Sequence, residues 1–306
     1  MMSARAEIAS AARGAAADAA WRQWAALGAP VSAAGTTAVI DPEALLLLSC
    51  TLRVRERRLD DVLGWWAGAG AALLSVQRVR TIARRYPARV CDGLAAFAHA
   101  AMDAGDGGWR SVTRADAGDP IVSRGKRGRE PRIATAPALM LRLRAAFGVG
   151  VKADVLAVLI AMGGADATVR ALVHATGYTA AAIRRAVREM SAARVVRSTS
   201  TRPASYRVDP ASWSAFLGME GEPGTSWRYF ADLFAFLAAV MDWGEAGDDN
   251  GYVAATTARD IFEAHRTTFE LNRIPFIEPD DAPGARYLDA FGTTVDHLGA
   301  WLLTSL

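Results

Sequence analysis

Hydrophobic positions recur at three- and four-residue spacing along most of this chain, a period that predicts helices. The first 28 residues read as one alanine-rich helix, with Trp21 and Trp24 a turn apart on the same face. Asp41-Pro42-Glu43 opens a second, with an N-cap, a proline at the first helical position and an acid in the first turn. It continues through Leu45, Leu46, Leu47 and Leu48, apolar on all sides, which predicts burial. Leu59 to Trp66 and Ser75 to Tyr86 supply two more helices around Gly68-Ala69-Gly70. In the later one Ser75 is the cap and Val76, Val79, Ile82 and Ala83 form the inner stripe. Gln77, Arg78, Arg84 and Arg85 then face mostly outward as a solvated basic face. Further on, Asp209-Pro210 caps a helix holding Trp213, Phe216 and Leu217, and Glu222-Pro223-Gly224 ends that unit. Trp227, Phe230, Phe234, Leu237 and Met241 mark a strong helix from Trp227 to Trp243. Ala258 to Leu271 and Tyr287 to Leu303 follow, separated by a loop with Pro275, Pro279 and Pro283.

Between Lys152 and Val208 the pattern changes. It reads as helix, Gly163-Gly164 break, helix, tight turn, helix, then two short strands joined by a polar tip. Thr168 or Asp166 caps the middle helix, whose inner face is Val169, Leu172 and Val173. In the turn Thr176-Gly177-Tyr178-Thr179, glycine stands where a positive φ is needed, and Thr179 caps the next helix. That helix buries Ile183, Ala186, Val187 and Met190 and presents Ala181, Arg184, Arg185 and Arg188 on the other face. The strands are Val195 to Ser198 and Ser205 to Val208, with Arg202 at the tip between them.

This stretch resembles the winged helix-turn-helix domains of bacterial transcriptional regulators of the MarR and ArsR kind. The matching residues are Val169, Leu172, Ala175, Thr176, Gly177, Ile183, Val187, Met190 and Val196. The likeness covers only about a fifth of the chain. It implies one helix in the major groove of double-stranded DNA and a wing against the backbone or minor groove. The residues expected to touch DNA are Thr168, Thr179, Ala181, Arg184, Arg185, Arg188, Arg197 and Arg202. Ala180, Ala181 and Ala182 occupy the first turn of the recognition helix, where alanine offers little beyond contact with a thymine methyl. Sequence discrimination then falls to Arg184, Arg188 and the wing. Val173 stands where a small alanine is usual. Arg194 stands where a glycine is common, so it must accept the backbone angle glycine would have supplied.

Charge sharpens this reading. Residues 121–207 carry 16 Lys and Arg against 4 Asp and Glu, whereas residues 208–306 carry 5 against 16. The first 120 residues are nearly balanced, at 14 against 12, so the small net charge of +3 conceals a polarised molecule. The expected architecture is mainly α, with a central winged helix-turn-helix flanked by N-terminal and C-terminal helical domains. Residues 1–102 form the first unit, 103–137 a basic Gly/Pro-rich linker, 138–217 the winged domain, and 218–306 an acidic, aromatic-rich bundle. The linker includes Gly105, Gly107, Gly108 and Asp119-Pro120. It also holds the run Ser123-Arg124-Gly125-Lys126-Arg127-Gly128-Arg129, suited to flexible contact with phosphates.

Catalytic chemistry is not visible, and no enzyme, cofactor or metal site is expected. Cys50 and Cys91 form no CxxC, and His99, His174, His265 and His297 are scattered; His174 reads as a helix-surface residue. No GxxxxGK[ST] or GxSxG occurs, and the acidic pairs Asp248-Asp249 and Asp280-Asp281 read as solvated loops. No run reaches the roughly 20 apolar residues of a membrane helix, and no secretory signal is apparent, so a cytoplasmic protein is expected. The function that emerges is a DNA-binding transcriptional regulator acting as a homodimer, with the helical domains serving dimerisation or effector or partner sensing. The rival is an antitoxin-like or assembly protein whose winged helix and acidic bundle bind a protein partner.

Overall fold

The computed structural model describes residues 3–113, 119–121, 130–200, 202–219, 226–246 and 251–306. The fold is mainly α. The described residues form thirteen α-helices and one small sheet. The helices before the sheet region are α1 (Ala4–Ala26), α2 (Pro42–Leu52), α3 (Leu59–Ala69), α4 (Val76–Ala83), α5 (Val90–Asp103), α6 (Leu139–Phe147) and α7 (Val151–Ala161). Strand β1 (Ala167–Thr168), α8 (Val169–Thr176), α9 (Ala180–Ala192), β2 (Arg197–Ser198) and β3 (Ser205–Arg207) follow. The chain closes with α10 (Pro210–Phe216), α11 (Phe230–Glu245), α12 (Gly251–Asn272) and α13 (Tyr287–Ser305). Caps explain many starts. Asp41, Ser75, Thr168, Thr179 and Asp209 each accept from a backbone N–H of the first turn that would otherwise lack a partner.

One hydrophobic core joins both ends of the chain. It contains Trp24, Trp66, Phe97 and Trp109 from the first half, with Phe230, Phe234, Phe236, Phe262 and Phe269 from the second. Helix α11 is buried on nearly every side, so it needs cover all round, and α1, α2 and α12 supply it. Helix α1 offers Ala9, Ala12, Ala16, Ala19 and Ala20, all buried, and packs against both α11 and α13. Small side chains bring the axes close: a Cβ on Gly244 of α11 would fall 2.1 Å from that of Ala9. Arg5 ties the same crossing by donating from Nε to the Trp243 carbonyl at 2.6 Å. The core therefore does not follow the linear division at residues 102 and 218. Periodicity finds each helix but cannot say which distant helix covers it.

A second core lies between residues 136 and 227, joined by Val39. It packs Leu139, Leu143, Val155, Leu159, Leu172, Ile183, Val187 and Val196. The sheet beside it is antiparallel in the order β1-β3-β2, with Ala167 opposite Tyr206 and Arg197 opposite Arg207. Strand β1 is an addition to the two strands expected. At two residues it has no period to read, and Thr168 also caps α8.

Between the two cores lies a dry ionic network. Arg78 of α4 donates to both Asp41 oxygens at 2.6 and 2.5 Å, to Glu43, and through Nε to the Thr176 carbonyl at 2.6 Å. Arg144 of α6 makes paired bonds to Asp154 of α7 at 2.7 and 2.8 Å and to Glu43 at 2.5 and 3.1 Å. Tyr178 donates to Asp154 at 2.9 Å, and the Ser75 amide to Glu43 at 2.7 Å. The side chains of Arg78, Asp41, Glu43, Arg144 and Asp154 are at most 1% exposed. Arg78 thus departs from the outward position that the α4 pattern implies. It flanks the inner stripe, and a carboxylate pair from another helix makes its burial tolerable.

Burial alone would push the Glu43 carboxyl up; Arg144 and Arg78 overcome this and hold it at about 2. Removing that carboxylate takes one partner from each of two buried guanidiniums, which keep Asp41 and Asp154, and leaves the Ser75 amide without its acceptor. Glu43→Ala is expected to cost about 3–5 kcal/mol, read as a drop in the urea-unfolding free energy at pH 7.

Candidate nucleic-acid interface

Helices α8 and α9 meet at Gly177, whose φ of +73° lies in the left-handed region; its N–H closes α8 on Val173 at 2.8 Å. Arg78 holds the Thr176 carbonyl one residue earlier, and Ile82 of α4 lies against the glycine. The turn is thereby seated on α4. Thr179, extended at ψ 150°, accepts from the Ala182 amide and starts α9. Ile183, Ala186, Val187 and Met190 are buried, so the opposite face must look outward.

On that outward face Ala181, Arg184, Arg185 and Arg188 are exposed together. Glu189 takes Lys152 at 2.8 Å and Arg185 at 3.4 Å, and these cations hold its carboxyl below the usual range. Thr179 is exposed with its hydroxyl spent on the cap, and Thr168 is half-buried with its hydroxyl on the Ala171 amide. Arg197 is exposed on β2, and Arg202 is exposed between β2 and β3. Nothing places Arg202 against α9. The basic run from Ser123 to Arg129 lies outside the described residues, as do Thr201, Glu222-Pro223-Gly224 and Asp248-Asp249.

Two arginines were not among the expected DNA contacts. Helix α9 ends on Arg194, with φ +58°, and the next amide bonds back to Met190 at 2.9 Å. Arg194 does take the angle glycine would have supplied. It lines a cleft with Arg197 and Arg207. The signal for Arg207 was register: only when β2 and β3 are paired does it stand opposite Arg197.

A polar cluster joins α8 to the helical body. Asp232 of α11 pairs with Arg85, just past α4, and lies 3.2 Å from His174 Nε2. His174 is half-buried, its ring 5.3 Å from Tyr229, and is not the plain surface residue its place on α8 implied. With His265, Thr267 and Thr268 of α12 these groups line a cleft of about 380 Å³. The members stand far apart in the chain, so no spacing could have announced them. Among the described residues no group of three or more His, Cys, Asp or Glu is placed to hold a metal, and no helix is long and apolar enough to cross a membrane.

Desolvation depresses the pKa of His174 against the pull of Asp232, with Arg85 and Arg170 adding to the depression. His265 is likewise lowered, by burial first, against Asp232 and with Arg85. Both imidazoles take up protons less readily folded than unfolded, so stability is full above the ordinary pKa of 6.5 and falls as pH drops below it. Glu43 acts separately: its depressed pKa adds stability that is present above 4.5 and lost as pH falls toward about 2. The denaturation midpoint is expected to be lower at pH 5.5 than at pH 7.5. The double substitution His174→Gln/His265→Gln should flatten that interval and leave the loss below pH 4.5 intact.

No protein-family model matches this chain, and neither a curated protein nor a solved structure does.

Proposed function

We propose that β1, α7 to α9, β2 and β3 act as a winged helix-turn-helix that binds double-stranded DNA, and that the protein is a transcriptional regulator. The observation that carries the reading is α9: it buries one face completely and shows Arg184, Arg185 and Arg188 on the other. Arginine suits both demands of such a surface, bonding guanine O6 and N7 in pairs and gripping phosphates. The excess of 16 basic over 4 acidic residues between 121 and 207 supports it. Specific contacts fall to Arg184 and Arg188, and Arg185 is partly engaged by Glu189. Thr168, Thr179 and Ala181 line the approach, and Arg197 and Arg202 supply wing contacts. One recognition helix buries little surface, so a homodimer on a two-fold site is part of the proposal.

A second reading, an antitoxin-like or assembly protein, draws on one exposed aromatic ring. Phe216 of α10 is 69% exposed and packs edge-on to Trp213 at 5.5 Å, a surface that fits a protein partner.

The deciding measurement is fluorescence anisotropy of the full chain with a random duplex at several salt concentrations. A regulator should show log affinity falling steeply and linearly with log salt. Arg184→Ala/Arg188→Ala should weaken binding about tenfold or more, since each lost pair is worth about 1–3 kcal/mol. Absence of binding at low salt would overturn the DNA reading and favour the partner reading.

A further inference from the structure

The junction between the end of α9 and the sheet holds a cleft of about 560 Å³, lined by Ser191, Arg194, Arg197, Ser198 and Arg207 among others. Each arginine there is placed against local preference. Arg194 sits at φ +58°, where glycine is at ease and a residue with a Cβ is not. Arg197 and Arg207 stand directly opposite each other on paired strands, and like charges so placed destabilise a sheet. The carboxylate that interacts with Arg197, Asp209, is committed to α10, where it accepts from Ser212 and the Ala211 amide. Ser191 adds a buried hydroxyl with no hydrogen-bond partner. Three cations and a spare hydroxyl around one hollow suit an anion.

We propose that this cleft clamps a backbone phosphate of duplex DNA, and that arginine occupies position 194 for that purpose. The inference rests on the DNA-binding reading above and adds to it a contact beyond the outward face of α9. A phosphate between Arg197 and Arg207 turns a repulsive cross-strand pair into two charge-assisted bonds, and Arg194 closes the third side. It carries no base information; it fixes register, so that Arg184 and Arg188 meet base edges in one orientation.

The molecule contains its own control. Arg273, at the end of α12, takes φ +56° with the Ile274 amide bonded back to Phe269, the same backbone arrangement away from this cleft. Arg194→Gly and Arg273→Gly should both raise the melting temperature, because both relieve the same strain. Only Arg194→Gly should weaken binding of the full chain to a random duplex, by roughly threefold to tenfold with a salt slope lower by about 1. Arg197→Ala/Arg207→Ala should lower the slope in the same way.

If the wild-type chain binds with a steep salt dependence and these slopes do not change, the clamp is wrong and the DNA reading stands. If the wild-type chain shows no salt-dependent binding, both fall. Inorganic phosphate at constant ionic strength separates the remaining source. Stabilisation by phosphate that Arg197→Ala/Arg207→Ala abolishes, with an unchanged DNA slope, would make the cleft a free-anion site and overturn the clamp.

Discussion

The structure depends on a set of charges held away from water. Asp41, Glu43 and Asp154 bring three carboxylates, and Arg78 and Arg144 bring two guanidiniums, all at most 1% exposed. Desolvating one such ion costs several kcal/mol, which mutual attraction offsets only when geometry is close and every remaining lone pair is used. Here both conditions hold. Each arginine makes paired bonds to at least one carboxylate, and the leftover acceptors meet the Ser75 and Ala44 amides and the Tyr178 hydroxyl. The uncompensated negative charge lies at the N-terminus of α2, whose dipole favours it. Such a network is satisfied in one arrangement only. A shift of α4 against α6 by an ångström would strand a charge, so the network specifies how the two hydrophobic cores meet.

That constraint reaches the turn before α9 through two hydrogen bonds. Arg78 Nε holds the Thr176 carbonyl, the last helical residue before Gly177, and Tyr178 just beyond holds Asp154. The turn that aims α9 is thus gripped on both sides of its glycine by groups belonging to the network. A second attachment differs in kind. The Asp232 cluster, with His174 and Arg85 still 27% and 34% exposed, joins α8 to α11 through groups that water reaches. The first attachment keeps its charges across the physiological range, since Glu43 is held near 2 and the Arg78 pKa is raised. The second contains two imidazoles whose pKa values burial lowers against the pull of Asp232. Rigidity of aim and sensitivity to pH therefore reside in different contacts of the same pair of helices.

Much of this fold was legible because it is local. Asp41, Ser75, Thr179 and Asp209 announce helix starts through hydrogen bonds spanning two or three residues, and the structure has all four. The buried stripe of α9 and the left-handed Gly177 are equally short-range. What escaped was set by partners distant in sequence. Arg78 looks like a surface arginine until Asp41, 37 residues away, is placed beside it. His174 and Asp232 belong to different helices, and Arg207 gains its meaning only when β3 pairs with β2. Helix α1 and α11 share a core because alanines met a glycine, an event that a hydropathy pattern does not encode.

The same joint core acts on charge that is segregated along the chain. By folding the N-terminal helices onto the C-terminal ones, it brings their opposite charges into contact. Glu245 is met by Arg13, Arg55 and Arg89, Asp242 by Arg89, and Asp232 by Arg85. Arginines of the nearly balanced first 120 residues are spent on the acids of the last hundred. In the middle segment Arg184, Arg188, Arg197 and Arg202 remain exposed. The result is a body of net negative charge carrying one positive unit, held in place by buried ions of both signs. Charge of one sign gathered on part of a surface steers an approaching ion of the other sign. Long-range steering of that kind selects orientation before any contact forms, and it weakens with salt on the scale of the Debye length, about 8 Å at physiological ionic strength.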